Sequence, residues 1–265
     1  MDWSKIKTIF IITFLILDVY LLFQFMKIRD ANKYEYVTEA SIEDKLKVDE
    51  IQIGELPKAT IKHPYLSAKP KTFTKSDLAK LKGQTALIKE PSAVLQMELE
   101  KPVQLSLKFE PSELSTFIKE NIIHGDQYQF WEKNEQENTI IYFQQYEYMT
   151  LYKNISGMLT FHLNSDDQIV YYEQTYLGEI EKQAAKGDIL SPLKAIETLH
   201  QKGELKPKSK ITKIELGYST LIQLAASQAL APTWHFVVDD QQSLFVNAFE
   251  GQIIQFDSKE NTDVE

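Results

Sequence analysis

The chain has no cysteine in 265 residues, which excludes a disulfide framework and any thiolate metal site. Its nine glycines form neither a glycine-rich phosphate loop nor a glycine-flanked serine elbow, so the backbone used for nucleotide binding and serine hydrolysis is missing. The histidines, His63, His124, His162, His200 and His235, are scattered, with no pair at the i, i+4 spacing of a helical zinc site. Asp166 with Asp167, and Asp239 with Asp240, fit Asp-rich reversals between strands and match no calcium-binding loop. Positive charge is also in deficit: the net charge of −9 repels nucleic acid, anionic lipid headgroups and anionic wall polymers. The densest basic stretch holds Lys202, Lys206, Lys208, Lys210 and Lys213 around Pro207 without an aromatic residue, as a solvated loop does. These absences argue against an enzyme, with no catalytic residue, no cofactor and no metal.

What the chain does have is an apolar run over residues 6–26. As a helix it is about 31 Å long, the thickness of a bilayer's hydrocarbon core, and it is too long for a signal-peptide core. One residue is discordant. Asp18 lies near the middle, where a carboxylate opposes insertion by about 2.5 to 3.5 kcal/mol. Fourteen Ile, Leu, Phe and Val residues outweigh it, so the segment is expected to insert as a whole. A single span has no bundle of its own in which to hide the charge, and this points to a partner helix. Helical spacing sets Ile11, Phe14, Leu15, Leu21, Leu22 and Phe25 on the face of Asp18, where they would pack around the polar contact.

Trp3 suits the interfacial belt. Lys5 and Lys7 on one side nearly balance Lys27, Arg29 and Lys33 on the other, so charge alone leaves the orientation open. No small-residue cleavage motif follows the run, and an uncleaved anchor is expected.

The opening string, most specifically Trp3, Lys5, Lys7, Thr8, Ile9, Phe10 and the stretch Phe14, Leu15, Ile16, Leu17, Asp18, resembles the start of the YycI family. This family, also called WalI, comprises membrane-anchored accessory regulators of the essential WalK and WalR two-component system of low-GC Gram-positive bacteria. The match is close over about the first twenty-five residues; beyond them it extends to the order of elements and a patch around Trp234. The resemblance implies two partners: a WalK-like (YycG-like) sensor histidine kinase met through the transmembrane helix, and a YycH-like membrane protein met through the ectodomain. It also implies a single-pass protein of the cell membrane, with a cytoplasmic N-terminus and an extracytoplasmic C-terminal domain, acting in cell wall homeostasis.

Beyond the anchor, residues 40–48 suit a short exposed helix, and Ile51 and Ile53 a brief strand. Residues 57–70 hold several prolines and are expected to cross the surface as a loop. Thr74 and Asp77 signal a helix start before Leu78 and Leu81, with Gly83 as its stop. Residues 93–100 and 103–109 alternate like two strands of a hairpin turned at Lys101 and Pro102.

An internal repeat follows. Leu114, Phe117, Ile118 and Ile122 lie at helical spacing before Gly125, and Leu193, Ile196 and Leu199 do so between the Ser191 cap with Pro192 and the break at Gly203. Each helix precedes a set of strands containing one Asp-rich turn. Residues 221–230, apolar and Ala-rich, fit either a short helix or an insertion between strands. Tyr142, Tyr146, Tyr148, Tyr152, Tyr171, Tyr172 and Tyr176 are expected on an open sheet face, as protein-binding surfaces use large amphipathic rings.

The expected fold is therefore α+β: a single N-terminal transmembrane helix followed by an extracytoplasmic domain with two repeated helix-plus-antiparallel-sheet units. The divisions are a tail at 1–5, the helix at 6–26, an N-terminal part of the ectodomain at 27–110, repeats at 111–180 and 186–257, and a flexible tail at 258–265. The leading function is regulation of the sensor kinase by transmembrane helix packing and by pairing with the second anchored protein. One alternative is an extracytoplasmic ligand sensor, which a pocket lined by several of the tyrosines would favour. The other is a protease-inhibitor or folding module with PepSY-like repeats.

Overall fold

The apolar opening run coils as α1 (Trp3–Ala31), about 44 Å long at a rise of 1.5 Å per residue. The computed structural model describes residues 3–31, 41–57, 62–79, 81–86, 93–183, 188–223 and 227–256. It divides into two units, Met1–Asp49 and Glu50–Glu265. In the first, α2 (Ile42–Val48) begins where Ser41 caps it by accepting from the Asp44 amide at 3.2 Å, with Glu43 and Asp44 in the first turn. Among the described residues no helix is long and apolar enough to cross a membrane. The described side chains of α1 form an unbroken run only from Ile11 to Leu22, so the membrane span expected over residues 6–26 rests on the sequence.

The second unit is mostly sheet. Its early elements are β1 (Gln52–Ile53), β2 (Leu66–Pro70), α3 (Lys75–Leu78), β3 (Gln84–Ala86) and β4 (Leu95–Gln104). A 3-10 turn at Pro111–Leu114 leads into α4 (Ser115–Asn121), followed by β5 (Tyr128–Asn134), β6 (Thr139–Tyr146), β7 (Met149–Tyr152), β8 (Met158–Leu163), β9 (Gln168–Gln174) and β10 (Leu177–Lys182). Then come α5 (Pro192–Gln201), β11 (Lys210–Gln223), β12 (Gln228–Val238), β13 (Gln242–Asn247) and β14 (Ile253–Ile254). The spatial path is β10-β2-β12-β11-β7-β6-β8-β9-β4-β3.

Both longer helices of this unit follow their local signals. Ser191 accepts from the Lys194 amide, Pro192 sits in the first turn, and α5 buries Ala195, Ile196 and Leu199 before Gly203 breaks it at φ +74°. Around α4, Leu114, Ile118 and Ile122 join Ile140, Leu159, Phe161 and Tyr172 in one core. After α4 the strands β5, β6, β8 and β9 pair as an antiparallel meander, and after α5 the strands β11 to β14 do the same. The sets meet where β7 pairs parallel to β11, Leu151 opposite Tyr218. A core of Leu66, Ala68, Leu151, Leu177, Tyr218 and Leu230 lies over that junction.

Three expectations are corrected. The hairpin over residues 93–109 is one strand, β4, which pairs with β9 and β3 and absorbs Pro102 at a register shift between Glu98 and Val103. The loop over residues 57–70 contains β2, whose Leu66 and Ala68 are fully buried between β10 and β12, while residues 58–61 lie outside the described residues. In the Ala-rich stretch over residues 221–230, residues 221–223 end β11 and residues 228–230 begin β12, so both of its ends are strand, with residues 224–226 outside the described ones. The helix expected from Thr74 to Leu81 starts where its signal lies, with the Thr74 amide donating to Asp77 Oδ2 at 3.0 Å, but α3 is shorter and runs only from Lys75 to Leu78.

Candidate functional site

On α1, Ile11, Phe14, Leu15 and Asp18 line one shallow groove, as their spacing predicts. Leu21 and Leu22 extend the same face by a turn, and every side chain from Ile11 to Leu22 is exposed. Phe25 lies within the helix, and its side chain is outside the described ones. One carboxylate therefore stands in an exposed strip of aliphatic and aromatic groups, an arrangement suited to meeting another helix.

A second site lies in the C-terminal unit and is built from three separated stretches. Asp126 and Gln127, the run Gln145, Tyr146, Glu147, Tyr148, and the run Tyr176, Leu177, Gly178, Glu179, Ile180 line a cleft of about 490 Å³. One wall is the tight turn between β6 and β7. Glu147 and Tyr148 both have positive φ, 48° and 65°, a geometry that Asn-Gly adopts with less strain. Strand pairing of Gln145 with Thr150 and Tyr146 with Met149 holds it, and Tyr148 projects with 96% exposure.

The opposite wall is fixed by side-chain amides. Buried Gln144 accepts from the Leu177 amide and donates to the Leu177 carbonyl, both at 2.8 Å. The Tyr176 hydroxyl donates to Gln127 Oε1 at 2.9 Å, and its ring stacks on His124 at 4.5 Å. Burial raises the pKa of the Tyr176 hydroxyl, which stays a neutral donor. An irregular register between Gly178 and Glu181 leaves Glu179 exposed at φ 46°.

The electrostatics of the cleft centre on Asp126, Glu147 and Glu179. Lys182 Nζ reaches both Glu147 oxygens, at 2.7 and 2.8 Å, while lying 5.8 Å over the Tyr146 ring. Lys69 Nζ meets Glu179 at 2.6 Å. These hydrogen bonds raise the pKa of both lysines, which stay charged. Among the described residues no His, Cys, Asp and Glu side chains group as a metal site.

The tyrosines expected on one open face are in fact divided. Tyr142, Tyr152 and Tyr172 are buried in the core, because the face they occupy is covered. Tyr171 stacks on His162 at 4.1 Å, whereas Tyr146, Tyr148 and Tyr176 converge on the cleft. The sequence offered Tyr enrichment as the only signal for this site. Its walls come from three separate stretches, residues 126–127, 145–148 and 176–180, which meet through the Gln144 contact to β10 and the Tyr176–Gln127 hydrogen bond.

Several solved structures are similar to the chain. A protein from Eubacterium rectale is 11% identical over 79% of this chain and 92% of that one, with a TM-score of 0.45. The YpeB C-terminal domain of Bacillus megaterium is 11% identical over 72% and 90%, with a TM-score of 0.38. YycH from Bacillus subtilis is 14% identical over 69% and 53%, with a TM-score of 0.35. No curated protein matches the chain. The family model described as YycI protein matches residues 31–249, and since this is well over half of the chain and takes in both cores, the chain belongs to the YycI family.

Proposed function

We propose that this chain is a non-enzymatic, membrane-anchored regulator of a cell-envelope two-component system, acting on a sensor histidine kinase through the packing of α1. Family membership supports a regulatory accessory role in the WalK/WalR system. The observation that carries the helix reading is the exposed strip of Ile11, Phe14, Leu15, Leu21 and Leu22 around Asp18. With residues 6–26 in the bilayer and the C-terminal unit outside the cell, Asp18 would be stabilised by a polar group on a kinase helix. Tighter packing in one kinase state than in the other shifts the kinase toward that state. The C-terminal unit would pair with a second, YycH-like anchored protein.

An interhelical polar contact contributes about 0.6 to 2 kcal/mol, which corresponds to about 3- to 30-fold in an equilibrium constant. Asp18→Leu is therefore expected to weaken kinase capture from membranes by that factor and to change kinase output. The direct test compares co-purification by the full-length chain with that by a chain whose residues 3–31 are exchanged for an unrelated transmembrane helix. Capture by the native helix alone supports the reading, and equal capture by both overturns it.

A further inference from the structure

We propose that the cleft between the β6–β7 turn and the start of β10 seats a lysine- or arginine-bearing segment of a protein partner. The inference rests on that part of the proposed function in which the C-terminal unit meets another protein, and it is independent of α1.

Two residues of the cleft wall already hold a cation in the manner proposed. Lys182 places its ammonium on the Glu147 carboxylate and over the Tyr146 ring, pairing ionic contact with cation–π attraction. The same groups recur around the cavity, with carboxylates at Asp126 and Glu179 and rings at Tyr148 and Tyr176. Among the described ion pairs the lysines answer Glu147 and Glu179, and none engages Asp126. The cleft thus keeps surplus negative charge on a chain of net charge −9.

Shape and rigidity favour a side-chain ligand. A cavity of about 490 Å³ falls in the range of small-ligand pockets and admits one or two long side chains. Its walls are set in advance by the Gln144 clamp, the Tyr176–Gln127 hydrogen bond and the strand-held turn that presents Tyr148, so little freedom is lost on binding. The positive φ of Glu147, Tyr148 and Glu179 places backbone strain on both sides of the opening, where functional sites concentrate it. Anions are repelled. Purely apolar ligands find few partners, since Leu177 is buried and the remaining lining is chiefly polar or tyrosyl.

The test titrates the full-length chain with a fluorescein-labelled, acetylated and amidated Gly-Lys-Arg-Lys-Gly peptide and follows anisotropy. Saturable binding is expected. It should weaken by about tenfold in Asp126→Asn with Tyr148→Ser and by a lesser factor in Asp126→Asn alone, because both side chains are exposed and neither supports the core. Glu135→Gln removes the same charge from the β5–β6 turn and is expected to leave the affinity unchanged. Absence of saturable binding, equal affinity in the cleft variants, or an equal loss in Glu135→Gln overturns the inference. Displacement of the peptide by spermine at an equal concentration also does so, by making the ligand a free polyamine. Failure of the helix-exchange capture leaves this titration untouched, and failure of the titration leaves the helix reading intact.

Discussion

His235 stacks on Phe245 at 4.7 Å, with Trp131 and Tyr152 at 5.2 and 5.1 Å. Burial, aided by the charges of Lys213 and Lys153, lowers its pKa to about 4. Its Nε2 meets Ser243 Oγ at 3.0 Å, while buried Nδ1 finds no hydrogen-bond partner among the described residues. An unfolded histidine titrates near 6.5, so between pH 6.5 and 4 the unfolded chain binds more protons than the folded one and stability falls with the pH. The gap corresponds to about 3 kcal/mol, fully present above pH 6.5 and lost as the pH falls to 4. Urea unfolding at pH 7 and pH 4 should therefore show a loss smaller by about 3 kcal/mol in His235→Phe than in the wild type; equal losses would exclude His235 as the acid-sensitive group. Gly217 sets a second limit at this scale. A Cβ there would lie 2.4 Å from the Thr150 carbonyl and 2.5 Å from the Tyr152 ring. Gly217→Ala is expected to cost about 1 to 3 kcal/mol, read as a lower urea midpoint at unchanged slope.

Among contacts between elements, the clamp of Gln144 on β10 is decisive, since no strand ladder joins β6 to β10 at that point. Gln144→Ala removes both partners of the buried Leu177 backbone groups and is expected to cost about 2 to 4 kcal/mol. Hydrogen exchange at the Leu177 amide should accelerate more than exchange in β8, and a uniform change would deny the clamp its local role. Contacts of this kind also mark where the sequence stops being legible. The α5 helix was readable because Ser191, Pro192 and Gly203 act within a few residues. In β2, Leu66 and Ala68 are set by pairing with β12 across more than 150 residues, which leaves no local pattern beyond two alternate positions. Pro102 imitates a turn because proline has no backbone N–H to donate, yet a register shift lets β4 continue past it. The candidate surfaces divide along the same line. The α1 face follows from helical period alone, whereas the cleft needed the long-range placement of β10 against β6, and the burial of Tyr142, Tyr152 and Tyr172 needed the whole sheet.

For the molecule as a whole, the question is whether the strands after α4 and those after α5 respond as one body. The junction is more than the short β7–β11 ladder. Buried Asn154 donates to Thr220 Oγ1 at 2.8 Å and Gln228 Oε1 at 2.7 Å, and Gln228 in turn donates to Ser156 Oγ at 2.7 Å. Each of these polar groups needs the others, so the network makes separation of the two sets costly. Asn154→Leu takes the donor from Gln228 Oε1 and Thr220 Oγ1 and is expected to lower stability by about 2 to 3 kcal/mol. The reporters are Trp131 in β5 and Trp234 in β12, one in each set. In a Trp3→Phe background, Trp131→Phe and Trp234→Phe variants should each unfold with a fluorescence midpoint equal to that of far-UV circular dichroism, with and without Asn154→Leu. Separate midpoints, or a shift of the Trp234 signal alone, would make the two sets independent domains. Coincident midpoints would mean that a ligand seated in the cleft, which belongs to the first set and β10, stabilises the β11–β14 meander by the same free energy. A contact at one end of the unit would then be felt at the other without any change of shape.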